Sequence, residues 1–154
     1  MPLKTLANQT DKDEILRRLE SVSPTSQRRW GKMTAHQMVC HLADSLRGVM
    51  GEKPLSRAPG TMPRRLMKWI ALHVPLPWPK GVKTRPEMDA QLGGTPPAEF
   101  TADLQELLRL LERFTRQPRD FNWQPHPIFE HMSEWEWGRW GYLHMDHHLR
   151  QFGA

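Results

Sequence analysis

Apolar residues recur at helical spacing in four stretches of this chain, and nowhere do they alternate as a half-buried strand would. In DKDEILRRLESV, the residues Ile15, Leu16, Leu19 and Val22 form one stripe behind Thr10. Asp11, Asp13 and Glu14 crowd its first turn, where the positive end of a helix dipole favours them, and Ser23-Pro24 ends it. Thr34 with Gln37 three positions on reads as a capping box. It opens a second helix with a Met38, Leu42, Leu46, Val49 stripe that runs to about Met50, and Gly51 follows as the cap. A third helix is expected from Thr95, with Pro96 and Pro97 in the first turn and Phe100, Leu104, Leu107, Leu108, Leu111 and Phe114 on one face; Pro118 closes it. Ser133 with Glu136 makes a second capping box and starts a fourth, reaching about Gln151. The pattern predicts an all-α bundle, one domain over residues 1–154.

Residues 52–94 break the pattern. Seven prolines lie between Pro54 and Pro86, around a single helical candidate, MPRRLMKWIALHV at 62–74. So long a connection without structure would be unusual, so a crossover with its own short helix is expected between the second and third long helices. Trp69 and Trp78 are its apolar anchors. Trp69 is expected to turn inward, leaving Arg64, Arg65 and Lys68 solvated.

Charge singles out the same segment. The chain carries net +5, but residues 52–85 hold eight basic side chains and one acid, so the remainder sums to −2. Basicity confined to one insert does not read as a general nucleic-acid binder. A basic helix with a tryptophan can lie on a membrane surface, but an ordered crossover packed on the bundle is the expected state. No run of 18 apolar residues exists, the N-terminus lacks the apolar core of a signal peptide, and Cys40 is the one cysteine. A cytoplasmic protein is expected.

Candidate chemistry gathers in GYLHMDHHLRQFGA, where His144, His147 and His148 fall within five residues and Gln151 follows. On a helical wheel the other three lie within about 60° of His144, in one sector with Trp137, Trp140 and Gly141. The i, i+4 pair His144 and His148 can share one ion, although no glutamate stands where a HExxH zinc motif needs one. A third ligand must come from another helix. In the second helix His41 sits at the edge of the core stripe, whereas His36 projects away from it. Asp44 is near enough to accept from a ligand imidazole. His126 and His131, in PHPIFEHMS, can line the same pocket.

MTAHQMVCHLADS and LHMDHHLRQF together resemble the DinB/YfiT-like superfamily of metalloenzymes. WGKMT, PWPKG and HPIFEHMSEWEW further resemble an uncharacterised branch of it, whose function is unknown. The resemblance spans nearly the whole chain. It implies an up-down four-helix bundle with a mononuclear site in which His41, His144 and His148 hold a divalent ion. The glutamine three residues after the second paired histidine also fits, at Gln151. Related branches include thiol-dependent transferases and isomerases, so a low-molecular-weight thiol is a candidate cosubstrate.

Three neutral imidazoles leave an open position on a metal, the catalytic pattern for zinc; nickel fits as well, with iron and manganese also open. His147 and His126 are the candidate acid–base residues. His147 and Gln151 are expected on the open side, with Trp140 in the pocket. The expectation is a metal-dependent enzyme acting on a small molecule, an anionic one if the crossover arginines fold over the pocket, by hydrolysis or thiol transfer. A non-catalytic metal- or ligand-binding bundle and a binder of anionic surfaces through residues 52–85 are the alternatives. Neither nucleic acid nor membrane is an expected partner; a homodimer through an exposed bundle face stays open.

Overall fold

Asn8, two residues before the expected cap, starts the first helix. Its side-chain oxygen accepts from the Asp11 amide and sets α1, Gln9–Glu20. Asparagine caps at least as well as threonine, and the Asp11 carboxylate is engaged by the Thr5 amide. The computed structural model describes residues 2–154 and continues with α2 (Ala35–Val49), α3 (Arg64–His73), α4 (Phe100–Thr115) and α5 (Glu134–Gln151). No strand occurs among the described residues, only an isolated antiparallel bridge between His126 and Glu130.

Both expected capping boxes form. Thr34 accepts from the Gln37 amide and Gln37 from the Thr34 amide; Ser133 and Glu136 do the same for α5. Gly51 takes φ +87 just past α2, a left-handed conformation that glycine adopts without strain. α2 is the central element, with residues from Ala35 to Val49 buried on nearly every side. It packs on α4 and on a 3₁₀ turn at Pro86–Met88, while α5 packs on α1 and α3. Gly141 admits the Leu6 and Phe114 side chains, which would lie 2.6 and 3.0 Å from an added Cβ.

Two expectations about the crossover are corrected. α4 begins at Phe100 and not at Thr95, capped by Glu99, which accepts from the Thr101 and Ala102 amides. Pro96 precedes another proline and is pushed out of the helical region, so the first turn cannot form there. The short helix does form and buries Leu72, but with Trp69 turned outward. Trp69 is 56% exposed, while Arg64 and Lys68 face the protein. Arg64 donates to the carbonyls of Pro127, Ile128 and Ala58, and Lys68 to the His131 carbonyl and Glu136. The surface under α3 is a row of acceptors, so donors beat the indole to it.

Cys40 is buried in α2 and burial pushes its thiol up to about 11, with the Asp103 carboxylate adding to the effect. The native thiol is therefore expected to alkylate at least about a hundredfold more slowly than free cysteine at neutral pH. Timed iodoacetamide labelling with and without denaturant checks this; equal rates would contradict the burial.

Candidate metal centre

Helices α2 and α5 bring His41, His144 and His148 together, with ligand-capable nitrogens all within 4.8 Å of one another. The rings stand edge to face in all three pairings, at centroid separations of 4.6 to 5.1 Å. His41 Nε2 and His144 Nε2 are 3.2 Å apart. That is close to the edge, about 3.3 Å, of a tetrahedron with metal–nitrogen bonds of about 2.0 Å.

Two of the rings have their tautomers set by acceptors behind them. His41 Nδ1–H donates to the Met88 carbonyl at 3.0 Å, and His148 Nδ1–H donates to Gln151 Oε1 at 2.8 Å. Both rings thus present an unprotonated Nε2, the form a metal needs. His144 cannot be satisfied by protein alone. If its Nε2–H donates to His41, its buried, partnerless Nδ1 is left as a lone pair; if Nδ1 carries the proton, two Nε2 lone pairs confront each other. A cation on the three Nε2 atoms removes the facing lone pairs and leaves only the His144 Nδ1–H without an acceptor among the described residues, so the donor set fits a divalent ion. Burial pushes all three imidazoles below the usual histidine range, and neighbouring imidazoles add to this for His144 and His148. They stay neutral and able to ligate.

The supports were partly invisible in the sequence. Met88 belongs to the Pro86–Met88 turn of the crossover, and Ser45 donates to the His41 carbonyl and contacts Met88 Sδ. No residue pattern announces a backbone carbonyl as a partner. Gln151 stands behind His148 and not on the open side: its carboxamide also donates to the Trp30 carbonyl, and Gly31 passes so close that a Cβ would lie 2.5 Å from Gln151 Nε2. Asp44 does not touch an imidazole. Its carboxylate accepts from the Thr95 amide and hydroxyl and pairs with Arg47 and Lys53. Nor does His36 join the centre; it pairs with Asp103 at 2.6 Å.

Residues 4–154 match the model of a family described as protein of unknown function (DUF1569). The chain belongs to the DUF1569 family. No curated protein and no solved structure matches it.

In this DUF1569 chain Trp140 stacks under His144 at 5.2 Å and meets His126 edge-on on its other side. His147 is half-buried beside Trp30 and Trp78, at 5.7 and 6.3 Å between centroids. Burial, then the nearby Arg150, lowers its pKa. Lys80 caps the Trp30 ring at 4.6 Å. Trp30, Trp78 and Lys80 therefore gather around His147, a grouping that only the folded crossover reveals.

His126 is held differently. Its Nδ1 accepts from the Ile128 and Phe129 amides, both at 3.1 Å, and burial drives its pKa down to about 3. A folded pKa below the unfolded value of 6.5 gives stability that is complete above pH 6.5. It is lost as pH falls towards 3, because only the unfolded chain takes the proton. His126→Asn should therefore lose less stability than the parent between pH 6.5 and 4 in urea melts; identical pH profiles would contradict this.

Proposed function

We propose that the three imidazoles hold one divalent ion and that the protein is a metal-dependent enzyme acting on a small molecule. The observation that carries this reading is the convergence of three neutral imidazoles, His41 and His148 buried and His144 half-buried, whose ligand-capable nitrogens lie within 4.8 Å of one another. Zinc or nickel suits the all-imidazole set best. Bound there, a divalent ion supplies Lewis acidity and acidifies a water or a thiol.

The chain's own residues supply the rest. The Met88 carbonyl and Gln151 orient His41 and His148, while Trp140 fixes the plane of His144. His147, next to the ligand set but not part of it, is the residue placed to move a proton, and Trp30 and Trp78 wall it from bulk water. Lys80 beside them favours a substrate with an anionic group. His126 keeps its Nδ1 on backbone amides and supports Trp140, so it is assigned to the scaffold. α1, α2, α4 and α5 form, on this reading, an up-down bundle of the DinB/YfiT type, supported by the α2–α4 and α1–α5 packing. Hydrolysis and transfer involving a low-molecular-weight thiol are the two reaction classes it admits.

Metal-loaded, untagged protein screened against esters, amides and thiol conjugates tests the reading. Turnover that vanishes in His144→Ala and falls in His147→Ala with metal retained supports it; failure to take up metal at all overturns it. Gln151→Ala should weaken metal binding about 10- to 100-fold, because His148 loses the acceptor that fixes its tautomer. Competition titration against a chromogenic chelator reads this directly, and unchanged affinity would remove Gln151 from the site.

A further inference from the structure

The short helix α3 turns one apolar stripe away from the protein, while Leu72, Met67 and Ala71 pack on the core. On a wheel, Leu66, Trp69 and Ile70 fall within a sector of about 100° and are 49%, 56% and 42% exposed, and Met62, just before the helix, is 47% exposed. The opposite side carries the buried Leu72 and the tethered Arg64 and Lys68. A surface helix ordinarily keeps such a stripe against the protein. The stripe extends onto α5, since His73 stacks with Trp69 at 5.9 Å and meets Trp135, itself 41% exposed, at 5.1 Å. Neither the Trp69 nor the Trp135 indole N–H has a hydrogen-bond partner among the described residues.

We propose that this face, α3 with Trp135, docks the protein on an anionic lipid surface. Charge decides between occupants. Arg65 borders the stripe, exposed and with no carboxylate partner among the described residues, and the chain leaving α3 carries the exposed Leu76, Val82 and Lys83. Glu134 and Glu136, the acids flanking Trp135, are already paired with Arg119 and Lys68. Of the eight cations in residues 52–85, Lys53, Arg57, Arg64 and Lys68 already pair with carboxylates, whereas Arg65 and Lys83 are exposed and have no such partner among the described residues. A second copy docked face to face would set these unpaired cations against their counterparts. A 10-residue helix, about 15 Å long, is also too short to supply the roughly 800 Å² per partner of a stable dimer. An anionic bilayer complements the charge, takes a shallow apolar stripe, and suits tryptophans whose N–H groups reach the headgroup layer. No helix of the described residues is long and apolar enough to cross a membrane, so the contact lies in the interface plane. This inference stands apart from the metal reading and survives its failure.

Sedimentation of untagged protein with vesicles tests it at physiological salt. Phosphatidylcholine vesicles containing phosphatidylglycerol should pellet the protein, and pure phosphatidylcholine vesicles should not. Leu66→Glu and Trp69→Ser, both at exposed positions and each checked for helicity by circular dichroism, should weaken binding at least about tenfold. Arg65→Glu should weaken it less and flatten the salt dependence. Absence of pelleting with anionic vesicles overturns the proposal. So does binding that Leu66→Glu leaves intact, or a dimer in light scattering that Leu66→Glu dissolves while vesicles stay unbound.

Discussion

Alanine at His41, His144 or His148 is expected to strip the ion from the untagged protein, each change lowering affinity by more than about a hundredfold. The bound on the effect comes from the supports: loss of a partner behind a ligand costs about 10- to 100-fold, and loss of the ligand costs more. Three imidazoles from two helices leave no redundancy, because among the described residues no other histidine, cysteine or carboxylate joins the His41, His144, His148 group. His147→Ala serves as the control. Its ring neighbours His148 but lies outside the ligand set, so metal should stay while turnover falls. Elemental analysis after dialysis reads all four variants on one scale. A full equivalent of metal in His41→Ala would sink the assignment, as would loss of metal from His147→Ala.

The pairing of His144 with His148 was legible because helix geometry is local. His144 and His148 share a face by spacing alone, and the capping boxes at Thr34 and Ser133 set the two helices that meet. What places His41 against them is tertiary packing, and there the reading of the residues left several histidines open until the resemblance to a known superfamily was added. The orienting groups split the same way. Gln151 could be named by its spacing, although its side of the site could not. The Met88 carbonyl had no signal at all, being a backbone atom delivered by a proline-rich turn.

The crossover was read least well, for two physical reasons. Local rules compete within a proline pair, and the restriction that the second proline places on Pro96 outweighed the tolerance of proline in a first turn. For α3, amphipathicity shows which residues share a side but not which side faces inward. The surface below is mixed: Leu72 goes into the core, but beside it lie the carbonyls of Pro127, Ile128 and His131, which the Arg64 guanidinium and Lys68 ammonium satisfy.

Asp44→Ala is expected to cost about 3 kcal/mol of folding stability while leaving the metal in place. The residue is 1% exposed, and its carboxylate is the point where the end of the crossover fastens to α2. One oxygen takes the Thr95 amide at 2.6 Å and the other the Thr95 hydroxyl at 2.8 Å, with Arg47 and Lys53 pairing alongside. Removal leaves the Thr95 amide without its acceptor and two cations without their counter-charge. Both cations retain some access to water, so the figure sits at the lower end of the range for a broken buried pair. Asp44→Asn should recover part of the loss, since a carboxamide oxygen still accepts from Thr95 but does not neutralise Arg47 or Lys53. Urea melts of the three proteins measure the stabilities, and elemental analysis on the same samples measures the metal. A stable Asp44→Ala protein that has lost its ion would return this carboxylate to the imidazoles, where the spacing along α2 had first placed it.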